Sequence, residues 1–292
     1  MLGAALVGLT LGGMTTAAEV QDRTLALNGL RFHYLDWGNS TAPALIAVHG
    51  FTSHAHSWDT FARAMRDRYH VIALDQRGHG ETEWATDYHA ARRVEDLEQF
   101  IQHLGLKKPT LVGLSMGGRC VYQFTAKHPD QVDRLVIVDI APESAAAGTS
   151  RISAGIQAQD VFDTPDEAFA VARAANARPP DAELRARVQH GLMRRDDGKW
   201  TFRYDSALRH TPGARAVATP EEIERDWQSL KNITCPTLLV RGESSDILSP
   251  EHAQRMVASI PNCQLVEVRE SGHSVPLDNP TGFLSAVEPF LT

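Results

Sequence analysis

The chain has 292 residues, room for one large α/β domain or two smaller ones, with 42% hydrophobic and 22% charged residues, ordinary values for a soluble protein with a sizeable core. Its formal net charge of −7, with no basic run interleaved with aromatics, gives no electrostatic basis for binding nucleic acid or an anionic membrane. Cys120, Cys235 and Cys263 lie far apart without CxxC or Cys/His ligand spacing, which argues against a disulfide framework and a metal centre; they read as small apolar residues.

Residues 1–18, MLGAALVGLTLGGMTTAA, form an apolar run ending in small residues, as a secretory leader does, but no Lys or Arg precedes its apolar part. The run is broken by Gly and Thr and is short for a bilayer span. Met14 is an alternative start. Residues 1–23 are expected to be a flexible or cleavable N-terminus, which leaves localisation open between cytoplasm and export. No stable membrane insertion is expected.

Regular patterning begins at about residue 24. TLALNG and LRFHYLDWG read as two short strands joined at Asn28-Gly29, a hairpin turn signal. ALIAVHG (44–50), HVIALD (70–75), TLVGLS (110–115), RLVIVDI (134–140), TLLVRG (237–242) and CQLVEV (263–268) are continuous apolar runs of the kind buried on both faces of a sheet. Between them, Ala91, Val94, Leu97, Ile101 and Leu104 recur at helical spacing, residues 116–127 continue from a strand into a helix closed by Pro129, and Ser249-Pro250 opens a helix through Ile260. Buried strands alternating with amphipathic helices predict an α/β fold with a mostly parallel sheet and helices on both faces. Between Pro142 and about Leu230 no apolar strand run occurs; helix-like pieces (166–177 and 181–195) and an aromatic patch, KWTFRYD (199–205), stand instead. Residues 142–230 are read as a helical cap over the carboxyl edge of the sheet, where open α/β sheets bind ligands, with residues 24–141 and 231–292 as the core.

Gly113-Leu114-Ser115-Met116-Gly117 matches G-x-S-x-G. The pattern alone arises by chance in about one chain in ten of this length. A predicted strand running in and a predicted helix running out make it a nucleophile elbow, with Ser115 on the tight turn and helix N–H groups facing a developing oxyanion. A serine hydroxyl needs a base. Of the 13 histidines, His49, His79 and His273 follow predicted strands, and the order serine, acid, histidine selects His273. His49 and His79 read as loop-structuring residues. His54 and His56 are open between lining the pocket and facing solvent. The acid that orients the imidazole is expected just past a strand end: Asp246 in RGESSD fits best, with Asp139 in VIVDI as its competitor, while Asp278 and Asp75 read as surface and turn residues. Oxyanion donors are expected at the Met116 and Phe51 backbones, with Gly50 allowing close approach.

Through HGF (49–51), DQRGHGET (75–82), GLSMGG (113–118), RGESSDIL (241–248) and SGHSVPLDNP (271–280), in this order, the chain resembles the α/β-hydrolase superfamily from residue 24 to its end. It looks closest to single-domain carboxylesterase-like members with a helical cap after strand six of an eight-stranded sheet. The resemblance implies a triad of Ser115, Asp246 and His273, oxyanion donors at Phe51 and Met116, and no cofactor or metal. Dehalogenases and epoxide hydrolases of the superfamily carry Asp where this chain has Ser115, which disfavours their reactions. HGF in place of HGGG disfavours bulky tertiary-alcohol and long triglyceride substrates. The expected activity is hydrolysis of a carboxylic ester of a small to medium acyl group, a small-molecule substrate, through an acyl-enzyme. Lactone, amide or carbon–carbon cleavage by the same triad is the alternative. A reading from another class is a non-catalytic ligand-binding receptor on a hydrolase fold.

Overall fold

A computed structural model describes residues 19–210 and 218–292. The expectation for residues 1–18 lies outside the described residues. In chain order the strands are β1 (Gln21–Leu27), β2 (Leu30–Asp36), β3 (Ala44–Val48), β4 (His70–Leu74), β5 (Thr110–Leu114), β6 (Leu135–Val138), β7 (Val161–Phe162), β8 (Leu192–Arg194), β9 (Trp200–Phe202), β10 (Thr237–Gly242) and β11 (Cys263–Val268). The helices are α1 (Asp59–Met65), α2 (Ala90–His103), α3 (Met116–Lys127), α4 (Ala146–Gln157), α5 (Pro165–Ala175), α6 (Asp181–Gly191), α7 (Ala207–His210), α8 (Pro220–Ser229), α9 (Pro250–Ser259), α10 (Val275–Asp278) and α11 (Pro280–Leu291).

Eight strands form one sheet in the order β1-β2-β4-β3-β5-β6-β10-β11. Only β2 runs against its neighbours β1 and β4; the other pairs are parallel. Asn28 and Gly29 both take positive φ, 50° and 78°, which the tight β1–β2 turn requires and few other residues tolerate. The strand begins at Gln21, so residues 21–23 belong to the sheet, not to the expected N-terminal extension. Charged residues on a mostly exposed edge strand gave no apolar signal there.

Alternation along each strand divides the core between the two faces of the sheet. Ile46, Val48, Ile72 and Leu111 pack with Phe100, Tyr122 and Phe124 of α2 and α3 on one face. Leu45, Ala47, Val71 and Val112 pack with Phe61 of α1 and Phe283 of α11 on the other. Each such aliphatic side chain contributes about 1.5–3 kcal/mol when fully buried, which explains why these strands read as unbroken apolar runs. Helix α9 starts as its sequence implies, the Ser249 hydroxyl accepting from the His252 N–H at 3.1 Å.

The cap is inserted after β6 and is mostly helical, but it also contains a small antiparallel sheet, β7-β9-β8. The predicted helix over 181–195 ends at Gly191, and the aromatic patch supplies β9. Strands of two or three residues are too short to establish a period, and they hold together by covering Phe162 and Leu192 against Trp200 and Phe202.

Packing is especially close where α3 meets the sheet. A Cβ on Gly117 would lie 2.2 Å from the Val48 carbonyl oxygen and 2.5 Å from that of His49, so helix and strand approach to backbone contact. Gly117→Ala is expected to cost about 2–4 kcal/mol of unfolding free energy, read from urea denaturation; an unchanged midpoint would contradict this packing.

Candidate active site

Ser115 stands between β5 and α3 with φ 56° and ψ −116°, a strained conformation held by its own N–H donating to the Val138 carbonyl at 2.9 Å and by its carbonyl accepting from the Arg119 N–H at 2.8 Å. His273, on the loop after β11, faces it: Nε2 lies 2.9 Å from the Ser115 Oγ. The other ring nitrogen, Nδ1, lies 2.8 Å from the Asp139 Oδ2. A carboxylate only accepts, so Nδ1 carries the proton and Nε2 is left to accept from the serine hydroxyl.

This geometry corrects the expected acid. Asp246 is not hydrogen-bonded to His273; its carboxylate takes Nε and Nη2 of Arg151 from cap helix α4 at 2.5 and 2.9 Å, and that bond pulls its pKa below the usual carboxylate value. Asp139 follows β6 with φ 53° and no exposed surface. Its Oδ1 accepts from the Gly242 N–H at 2.9 Å and its Oδ2 from the Ser245 hydroxyl at 2.5 Å as well as from His273. The residue of the RGESSD loop that turns toward the histidine's partner is thus Ser245. The sequence signal for Asp139 is a lone carboxylate ending an otherwise apolar strand, expensive to bury unless several donors meet it; Asp75 in HVIALD shares it, so the signal marks buried acids without choosing the one that faces His273.

The loop after β3 lies against the elbow, where a Cβ on Gly50 would stand 3.4 Å from the Ser115 Cβ. Phe51 follows Gly50 on this loop, and Met116 opens α3, so its N–H has no intrahelical acceptor. Two cavities reach the residues that follow the pair in the chain, one at Met116 and the other at Ser274. One of about 180 Å³ is lined by Phe51, Met116, His79, Tyr88 and Leu208. The other, of about 300 Å³, is lined by Thr52, His54, Ile152, Arg187, Tyr204 and Ser274 among others. A larger groove of about 550 Å³ between α2, α3 and α8 contains none of these groups. Phe202 and Tyr204 stack on one another, the former in the cap core and the latter beside His79.

The other histidines sort by their partners. His49 is fully buried, donates from Nδ1 to the Gly50 carbonyl and accepts the Gln76 N–H on Nε2, which shapes the loop. His79 donates from Nδ1 to the Arg77 carbonyl, and burial pushes its pKa down to about 3. His54 is buried too, lowered to about 3 by burial, with Nε2 donating to the Arg187 carbonyl across the core–cap boundary. His56 is half-buried and stacks on His190 with ring centroids 3.7 Å apart. With Asp59 these two form the group among the described residues that brings three possible metal-ligand atoms within 4.8 Å; none of the three is bonded to Ser115 or His273.

Of the two acids read as surface and turn residues, one lies elsewhere than expected. Asp278 is buried, not on the surface: one oxygen accepts from the Gly272 N–H at 2.8 Å, next to His273, and the other from Asn176 of the cap at 2.7 Å. Asp75 does organise a turn, accepting from the Ala55 and Glu81 N–H groups and from the His33 Nδ1 at 2.7 Å. Burial pushes the Asp75 carboxyl up, but the His33 bond and neighbouring imidazoles outweigh it and hold it at about 2. All three cysteines are free thiols, Cys120 and Cys235 buried. No helix among the described residues is long and apolar enough to cross a membrane.

A strand-to-helix serine bonded to a histidine at the carboxyl edge of a mostly parallel sheet, beneath a helical insertion, is the arrangement of a hydrolase. The chain belongs to the alpha/beta hydrolase fold family, whose profile matches residues 43–280. It is 30% identical to the 3-hydroxybutyrate-oligomer hydrolase of Cupriavidus necator, covering 89% of this chain and 92% of that protein. It is 29% identical to the sn-1-specific diacylglycerol lipase ABHD11 of Mus musculus, covering 90% and 85%. The crystal structure of an E-2-(acetamidomethylene)succinate hydrolase superposes with a TM-score of 0.82 at 26% identity, covering 94% of this chain and 99% of that one. Family and relatives together support a serine hydrolase of the ester-cleaving kind.

The His33–Asp75 pair beneath the site makes stability depend on pH. Burial works against the charge on His33, but the hydrogen bond and charge of Asp75 raise its pKa above the ordinary 6.5. Its contribution is therefore complete below 6.5 and disappears as pH climbs through the raised folded value; that of Asp75, with its pKa lowered, is present at neutral pH and is lost only in strong acid. The lowered pKa values of His54 and His79 act in the opposite sense, so the effect of His33 is read as a difference: the urea-midpoint advantage of the wild type over His33→Gln is expected to shrink between about pH 5.5 and about pH 8.5. Equal slopes in the two proteins would remove His33 as the cause.

Proposed function

We propose that this protein hydrolyses carboxylic esters of small to medium acyl groups through an acyl-enzyme, with Ser115 as nucleophile, His273 as general base and acid, and Asp139 as the acid that orients the imidazole. The observation that carries this reading is the continuous hydrogen-bond chain from the Asp139 Oδ2 through His273 to the Ser115 Oγ. As Oγ attacks the ester carbonyl, its proton passes to Nε2, and the buried Asp139 carboxylate stabilises the imidazolium that forms. The tetrahedral oxyanion then faces the Met116 and Phe51 N–H groups, the proposed oxyanion donors. Collapse expels the alcohol, which takes the proton from Nε2. A water activated by the same nitrogen then attacks the acyl-enzyme and releases the acid and free Ser115. In this scheme Asp246 is a cap tether through Arg151, with no part in the proton transfer. The similarity to a 3-hydroxybutyrate-oligomer hydrolase and to an sn-1-specific diacylglycerol lipase supports ester cleavage.

With 4-nitrophenyl butyrate, Ser115→Ala is expected to lower kcat by about 10⁴-fold or more. Asp139→Asn is expected to lower it by about 10³- to 10⁴-fold, while Asp246→Asn stays within about tenfold. The reverse ranking of the two aspartate variants would return the orienting role to Asp246, and undiminished turnover by Ser115→Ala would refute the mechanism.

A further inference from the structure

The three arginines that line the larger cavity beside His273 are Arg151, Arg187 and Arg209, and they differ in how their charge is met. Arg151 is paired with Asp246. Arg209 lies 3.4 Å from Asp160 and donates to the Tyr204 hydroxyl and the Ala158 carbonyl. The guanidinium of Arg187 has no hydrogen-bond or ion-pair partner among the described residues; only its backbone carbonyl is engaged, by His54. The remaining stretches, 1–18 and 211–217, contain no Asp or Glu, and the cavity wall holds none either. Asp278 is the acid whose charge reaches Arg187, but its two oxygens already accept from Asn176 and Gly272.

Arg187 is partly buried on α6, and burial lowers its pKa from the ordinary arginine value. A cation partly withdrawn from water is costly without a close counter-charge, and Asp278, the acid whose charge reaches it, forms no ion pair with it. The His54 bond of 2.9 Å pins the α6 backbone to the core loop at this residue, and from there the Arg187 side chain lines the cavity. Ile152, Ile156, Leu184 and Val188 make much of the remaining wall apolar. A guanidinium without an ion-pair partner, in a cavity whose wall is in good part aliphatic, matches a monoanion on a hydrocarbon stem. A guanidinium meets a carboxylate with two parallel N–H donors.

We propose that Arg187 is a specificity residue that binds a carboxylate of the substrate, so that the preferred esters carry a carboxylate away from the scissile bond. The inference rests on the ester-hydrolase reading above and adds the substrate class to it. Two isosteric pairs test it, one for each side of the ester. On the acyl side, 4-nitrophenyl hydrogen adipate is compared with 4-nitrophenyl 6-methylheptanoate. On the alcohol side, 4-(carboxymethyl)phenyl butyrate is compared with 4-isobutylphenyl butyrate. The wild type is expected to prefer the carboxylate member of at least one pair in kcat/KM. Arg187→Met is expected to lower that ratio by about 10- to 100-fold, mainly through KM, with Arg187→Lys retaining part of it. Arg187→Gln replaces the Met variant if the latter does not fold. A wild type without preference in either pair, or a ratio unchanged in the variant, overturns the inference and leaves the hydrolase reading intact as long as turnover depends on Ser115. Turnover that survives Ser115→Ala overturns the hydrolase reading itself.

Discussion

A carboxylate with no exposed surface must find its hydrogen-bond donors inside the protein, and Asp139 finds all of its side-chain donors on the loops of the next two strands of the sheet. The Gly242 N–H and the Ser245 hydroxyl come from the end of β10, and the His273 Nδ1–H comes from the loop after β11. The β11 loop crosses over the end of β10 to reach both Asp139 and Ser115. It has room to do so because a Cβ on Gly242 would lie 2.1 Å from the Gly272 carbonyl oxygen. Satisfying one buried charge therefore also sets the position of the imidazole, and the positive φ of Asp139 and of Ser115 places both side chains on the same edge.

Where burial or backbone strain leaves a mark on residue type, the sequence is legible. Strands buried on both faces must be apolar throughout, and the elbow must have small residues where α3 meets β3, so the sheet, Ser115 and His273 can all be read directly. The acid is harder. Asp139 and Asp246 both stand past strand ends, and choosing between them depends on where Ser245 and Arg151 direct their side chains, which spacing along the chain does not encode. The cap resists reading for another reason. Leu192–Arg194 and Trp200–Phe202 are too short to show a period, and they become strands only by pairing with each other and with β7.

The cap is tied to the core by several polar bonds spread around its base. Tyr88 donates to Asp205, the Asp205 N–H donates to the Gly78 carbonyl, Arg203 pairs with Glu81, and Thr60 bonds Glu183. These groups draw on the loop after β4 and on α1. Several cap arginines are met by a carboxylate of their own, Arg151 by Asp246, Arg173 by Asp181, Arg185 by Asp166 and Arg209 by Asp160, whereas Arg187 lines the cavity without an ion pair among the described residues.

Asp278 connects the two parts of the molecule in a different way. One of its oxygens holds Asn176 of the cap, and the other holds the backbone immediately before His273. A carboxylate shared in this manner is a rivet between lid and catalytic loop: parting the two at this point would leave one of its buried oxygens without a donor.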